Sequence, residues 1–151
     1  MLIVDSHVHI WATGTPSPAH RQLPALSGDE LLREMDEAGI DAAIIQPPGW
    51  DVTSNEVAVE AARRHPDRFA ILGWFPLDDP GSAALIDGWA NRPGMRGLRF
   101  TFMPPNDPAW MTDGTLDWLW PAAEQACLAA RAFALGRVGG GSGGLHQLVE
   151  I

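Results

Sequence analysis

Met1-Leu-Ile-Val-Asp5-Ser-His7-Val-His9-Ile-Trp11 opens the chain, setting an acid and two histidines among apolar residues. Side chains on a strand alternate between two faces. Leu2, Val4, Val8 and Ile10 then share one face, an apolar set suited to packing under helices. Ile3, Asp5, His7 and His9 share the other. A polar row in a buried strand needs partners, because an unpaired buried polar group costs roughly 1–3 kcal/mol. Histidines at i and i+2 bring two neutral nitrogen donors to one side, as a zinc-type ion requires. The pattern equally fits one satisfied core histidine and one solvated at the strand end, so the motif alone leaves metal binding open.

Composition narrows the function classes. At 151 residues the chain is one domain of ordinary size, long enough to bury a core. Its net charge is −9, with ten arginines and no lysine, which argues against nucleic acid, whose phosphates need a basic footprint. Without lysine there is no Schiff base and no carbamylated lysine to bridge two metals. The single cysteine, Cys127, excludes an internal disulfide and fits a reducing cytoplasm. No apolar run reaches the ~20 residues of a membrane span, and no basic-then-apolar leader is expected.

The chain alternates strand and helix. A long loop with Pro16, Pro18 and Pro24 follows the first strand; loops of this length are usually functional or mobile. Ser27-Gly-Asp-Glu30 predicts a capping box for a helix that buries Leu31, Leu32 and Met35 and stops at Gly39. Asp41–Gln46 is an apolar strand, and Thr53-Ser-Asn-Glu56 predicts a second capping box before a helix over Val57–His65, with Glu60 and Arg64 as an i,i+4 pair. Phe69–Phe75 is the third strand, Ser82–Asn91 the third helix and Met95–Phe102 the fourth strand. A fourth helix starts near Thr115. Four such units indicate a parallel sheet covered by helices, either a doubly wound open sheet or part of a (β/α)8 barrel. No glycine-rich phosphate loop follows the first strand, and histidines at its end suit a metal-centred barrel better.

Asp5-Ser-His7-Val-His9-Ile-Trp11 resembles the first-strand signature of the amidohydrolase superfamily. More narrowly, it is similar to the amidohydrolase-related branch of pyrone-dicarboxylate lactonase, sugar-acid lactonases and aminocarboxymuconate-semialdehyde decarboxylase. Leu31-Leu-Arg-Glu-Met-Asp-Glu-Ala-Gly-Ile40, Ala61-Ala-Arg-Arg-His-Pro-Asp-Arg-Phe69 and Gly94-Met-Arg-Gly-Leu-Arg-Phe100 support it in order, over residues 1–126. The resemblance implies a (β/α)8 TIM barrel. It also implies a metal-dependent hydrolase of a lactone or other cyclic carboxylic-acid derivative, with decarboxylation as the alternative reaction. The ion would be zinc, or manganese, held by His7 and His9 with later histidines, although some members work with little or no metal. The catalytic acid–base, an Asp ending strand eight, lies in the half that is missing here.

The chain departs from that pattern after residue 126. All 13 prolines precede this point, and the net charge divides into −10 over residues 1–126 and +1 over residues 127–151. Leu128–Leu135 is expected to extend the helix rather than form a strand, since alanine and leucine favour helix. The glycine run from Gly139 to Gly144 reads as a flexible, disordered tail, so that His146 is no third ligand. The expectation is an N-terminal half-barrel of about four units (residues 1–126) with a non-family extension (residues 127–151), truncated by a frameshift near Ala126–Cys127. The alternatives are a native half-barrel forming a homo-oligomer with a second copy, and a non-catalytic fragment or interaction module whose unpaired fourth strand is an aggregation liability.

Further candidates face the same mouth. Arg99 shares parity with Thr101 and fits a forked contact to a substrate carboxylate, or equally an ion pair with Asp5. Trp11, Trp50 and Trp74 follow or end the first three strands, where they could line a pocket for a planar substrate or simply pack. Asp5 is expected to orient a ligand or pair with arginine. His20 is expected in solvent, and His65 at a helix C-terminus in a structural role. The partner is a small carboxylic acid or lactone, with no nucleic acid and no membrane.

Overall fold

The computed structural model describes residues 1–79, 81–102, 107–134 and 147–150. The elements are β1 (Val4–Val8), α1 (Gly28–Ala38), β2 (Ala42–Ile45), α2 (Ser54–Arg64), β3 (Phe69–Trp74), α3 (Ser82–Trp89) and β4 (Met95–Phe102). A 3-10 turn (Pro108–Met111), α4 (Leu119–Gln125), β5 (Ala129–Ala134) and β6 (Gln147–Glu150) come next. β1 to β5 pair in chain order, all parallel, and β6 adds antiparallel to β5. A doubly wound sheet would reverse its strand order at a switch point. The unbroken sequential order is that of a barrel, here the N-terminal half of a (β/α)8 barrel.

Alternation decides what each face does. On β3, Phe69, Ile71 and Gly73 are buried while Ala70, Leu72 and Trp74 are half-buried. Ala43, Ile45, Phe69, Ile71, Leu98, Phe100 and Phe102 enter one core with Leu31, Met35, Ala58, Ile86, Trp89 and Leu119 from the helices. The opposite, inner face carries Ile44, Leu72, Trp74 and Arg99, all half-buried. A parallel sheet is ordinarily covered on both faces; the helices here cover one.

Several local expectations hold. Ser27 accepts from the Glu30 backbone N–H while the Glu30 carboxylate accepts from Ser27, a complete capping box, and Gly39 ends α1 at φ 72°. Others are corrected. The second capping box is absent: the Thr53 hydroxyl bonds the Asp51 carboxylate at 2.7 Å, leaving α2 without a side-chain cap. Glu60 pairs with Arg63 at 2.8 Å, and Arg64 instead bonds Asp29. On β1 the register shifts between Asp5 and Val8, so the four apolar residues do not form one buried face. Ile10 is buried, but Leu2 and Val4 are exposed.

The largest correction concerns residues 128–135. Ala129–Ala134 is a strand, with six register pairs from Gly97↔Ala129 to Phe102↔Ala134. Helix propensity is a weak prior, overridden here by the unpaired backbone of β4 and by the core position of Leu128. Cys127 makes the turn, taking φ 53° after α4 while Leu128 N–H bonds the Ala123 carbonyl. β4 is therefore paired on both sides. Among the described residues the edge strands of the sheet are β1 and β6. Most of the glycine-rich tail lies outside the described residues, as does His146, but Gln147–Glu150 is strand.

Two glycines separate backbone strain from crowding. Gly39 and Gly94 both hold left-handed φ, 72° and 74°. A Cβ on Gly39 would meet nothing within 4 Å, whereas one on Gly94 would lie 2.4 Å from Ala62 Cβ. Gly39→Ala is expected to cost about 1–2 kcal/mol from backbone strain alone. Gly94→Ala should cost roughly 1–3 kcal/mol more. Urea unfolding of the two variants measures the difference; equal costs would show that α2 moves aside freely.

Candidate metal and substrate site

β1 delivers its histidines to the rim where the parallel strands end. His9 lies just beyond β1 and donates from Nδ1 to the Gln46 carbonyl, 2.5 Å away, at the end of β2. A carbonyl only accepts, so the proton resides on Nδ1 and the Nε2 lone pair is free. The Gln46 side chain in turn donates to the Ser6 carbonyl at 3.1 Å, locking β1 to β2 below the rings. His7 and His9 meet edge to face with centroids 4.8 Å apart. Imidazoles sharing a tetrahedral zinc, each nitrogen about 2 Å from the metal, have centroids roughly 5 Å apart. Burial lowers the pKa of both to about 4; for His7 the Arg131 and Arg99 charges add to the effect, and for His9 the Gln46 bond opposes it. Both rings are thus neutral at pH 7, the form that ligates.

A third histidine joins them. His20 is half-buried rather than solvated, its ring 5.1 Å from His9 and 4.8 Å from Trp50. Nδ1 of His20 shares a 2.6 Å hydrogen bond with the Ser17 hydroxyl. Even so, among the described residues no group of three or more His, Cys, Asp or Glu is gathered as a metal site. The donor chemistry of His7 and His9 fits a zinc-type ion at two of its four positions.

Asp51 holds the rim together. It is 2% exposed, and its carboxylate accepts from the backbone N–H of Ala12, Thr13 and Thr53 and from both threonine hydroxyls. The β1–α1 loop is thereby tied to the start of α2. Burial acts to raise the Asp51 pKa, but the hydrogen bonds from Thr53, Ala12 and Thr13 outweigh it and bring the pKa down to about 2. Next to it, Trp50 packs edge-on against His9, Trp11 and His20, with its indole N–H buried and without a partner among the described residues. Trp11 is a packing residue: it is buried, its indole N–H donates to the Leu23 carbonyl at 3.3 Å, and its backbone pairs with Leu26 to close the loop.

Arg99 lies on the inner face. Its guanidinium sits 4.9 Å from the Trp74 ring and donates to the Pro47 carbonyl at 2.5 Å. The ion pair with Asp5 does not form; the Asp5 carboxylate accepts the His7 backbone N–H at 3.0 Å instead. Arg131 faces Arg99 in register on β5 and reaches the Ser6 carbonyl at 3.4 Å. Burial lowers the Arg99 pKa to about 10, with the Arg131 charge contributing. On the α1 side of β1, a cleft of about 330 Å³ is lined by Asp5, Val8, His9, Trp11, His20 and Met35, with Arg99, Trp50 and Trp74 outside it. His65 bonds Asp29 at 3.1 Å, a structural role. Sequence reasoning missed Asp51, His20 and Arg131, each of which joins the site through a contact from a distant segment.

A family profile described as Amidohydrolase matches residues 4–131, beyond the compositional change at residue 126. No curated protein matches. Among solved structures, a probable 2-pyrone-4,6-dicarboxylic acid hydrolase of Acinetobacter baumannii with citric acid bound is 17% identical, with TM-score 0.66 over 87% of this chain and 49% of that one. A zinc-bound amidohydrolase of Burkholderia multivorans is 20% identical, with TM-score 0.67 over 86% and 48%. A 5-carboxyvanillate decarboxylase of Novosphingobium aromaticivorans, with manganese and 3-methoxy-4-hydroxy-5-nitrobenzoic acid, is 19% identical, with TM-score 0.64 over 85% and 49%. The chain spans about half the length of these structures.

The Asp51 clamp has a pH signature. A carboxyl lowered from 3.8 to about 2 stabilises the fold above pH 3.8 and loses that contribution as pH falls toward 2. Asp51→Asn should cost about 2 kcal/mol at pH 7, with the gap to wild type closing by pH 2. Urea unfolding at several pH values measures it; a gap constant down to pH 2 would remove the ionised clamp.

Proposed function

The chain belongs to the amidohydrolase family, and from that premise we propose that its inner face is the metal- and substrate-binding wall of a hydrolase for lactones or other cyclic carboxylic-acid derivatives. The observation that carries this reading is the pair of neutral imidazoles 4.8 Å apart, with Nε2 of His9 left free by the Gln46 carbonyl. His7 and His9 would hold a divalent ion, zinc or manganese, two metals found in the matched structures. When bound, the ion supplies Lewis acidity toward a scissile carbonyl and toward water.

The chain's own residues supply binding and orientation. Gln46 fixes the tautomer and angle of His9, as a carbonyl partner does for a ligating imidazole. Arg99 has donors left after its bond to Pro47 and forks a substrate carboxylate, with Trp74 stacked against the guanidinium. Trp50 walls the site beside His9 and His20, and Trp11 supports it from behind. We place the remaining ligands and the acid–base carboxylate on the strands that would complete the barrel. The partner is a small carboxylic acid or lactone, and the single cysteine supports a cytoplasmic setting. No helix among the described residues is long and apolar enough to cross a membrane.

Decarboxylation is the second reading, favoured by the match to a manganese-bound decarboxylase. Metal analysis of the purified chain tests the common premise. One zinc or manganese per chain is expected, with at least tenfold weaker binding in His7→Ala or His9→Ala. Metal-free protein that aggregates with concentration, and binds no added zinc, would leave a non-catalytic fragment instead.

A further inference from the structure

β2 stops at Ile45, opposite Ile71, while β3 runs on to Trp74. Continuing that register would set Pro48 opposite Trp74. Proline has no backbone N–H, so Pro47 and Pro48 cannot extend the ladder. The Trp74 backbone therefore needs another partner on this side, because an unpaired N–H or carbonyl away from water is costly. Asn55 supplies it from the first turn of α2. Its carboxamide oxygen accepts from the Trp74 N–H at 2.8 Å, and its Nδ2 donates to the Trp74 carbonyl at 2.9 Å. The carboxamide, which carries both a donor and an acceptor, stands in for the missing strand.

This clasp bears on the inner face through the indole. The Trp74 ring lies 4.9 Å from the guanidinium of Arg99, its register partner on β4. The far edge of the ring runs against Gly49, where a Cβ would come within 3.2 Å of Cη2. The second hold on Arg99 is the Pro47 carbonyl, which accepts from Nη1 at 2.5 Å. That loop is tied to the same turn of α2, since the Ser54 hydroxyl donates to the Pro48 carbonyl at 3.0 Å. Both supports of the guanidinium are thus fastened to α2, one through Ser54 and the other through Asn55.

We propose that Asn55 is a positioning residue for Arg99: by clasping the Trp74 backbone it fixes the indole face on which the guanidinium lies, and so presets the direction of the remaining Arg99 donors. This role rests on the reading of Arg99 as the group that forks a substrate carboxylate, and it names the residue that makes the fork rigid. A guanidinium already held in its bound orientation loses less freedom when a ligand arrives.

Nuclear magnetic resonance reads the position of Arg99 without any ligand. The Arg99 Nε–H resonance, assigned by its loss in Arg99→Lys, should be displaced by the Trp74 ring current, and Trp74→Leu should abolish that displacement. Asn55→Ala should remove most of it. Asn55→Asp, which keeps the acceptor for the Trp74 N–H but not the donor, should fall between, and it serves where Asn55→Ala melts early by circular dichroism. Calorimetric titration with benzoate reads the consequence: Asn55→Ala should weaken binding about fivefold. In an Arg99→Lys background the same substitution should change it by less than about twofold. An Arg99 resonance indifferent to both Asn55 variants would overturn the positioning role, because Trp74 would then be held without Asn55. An equally large loss of benzoate affinity in the Arg99→Lys background would overturn it too, because the effect would bypass Arg99. No benzoate binding in wild type, or an affinity indifferent to Arg99→Lys, would sink the carboxylate reading instead; the resonance alone then decides the role of Asn55.

Discussion

Parallel pairing between consecutive strands is the constraint from which the site arises. A strand can lie parallel to its predecessor only if the chain crosses back, and α1 to α4 make those crossings here. Every carboxyl end of β1 to β5 therefore reaches one rim. His9, Gln46, Trp50 and Trp74 come from three different units and meet there without those units being near in sequence. The helices occupy one face and leave the rim residues facing the other.

What was legible in the sequence was local or periodic. The α1 capping box depends on residues three apart, and strands β2 to β4 declared themselves as short apolar runs between turn signals. Thr53-Ser-Asn-Glu56 had the same local spelling but a different outcome, because Asp51 two residues earlier competes for the Thr53 hydroxyl. Ala129–Ala134 was illegible for the opposite reason. Its composition favours helix, and only the vacant edge of β4 makes it a strand.

The site divides in the same way. His7 and His9 announce themselves by spacing, whereas Asp51 bonds partners 38 and 39 residues away and has no motif. Arg131 lies in the region where composition changes, so it carried no signal until β5 placed it beside Arg99. Its position beside Arg99 and its half-burial exist only in three dimensions. His20 is similar: a loop residue by sequence, it becomes a neighbour of His9 because Asp51 anchors the loop's start and the Trp11–Leu26 pairing closes it.

The contact between Asp5 and the His7 backbone bears on the open edge of β1. Met1 to Val4 expose apolar side chains along that edge, an invitation for a stray strand to zip on. Farther along, an incoming strand would find the His7 N–H already satisfied by the Asp5 carboxylate and the Ser6 carbonyl already accepting from Gln46 and Arg131. The ladder stalls there, and the incoming strand would bring its own carbonyl against a carboxylate. Asp5 thus stands where a carboxylate on an edge strand opposes the addition of a further strand.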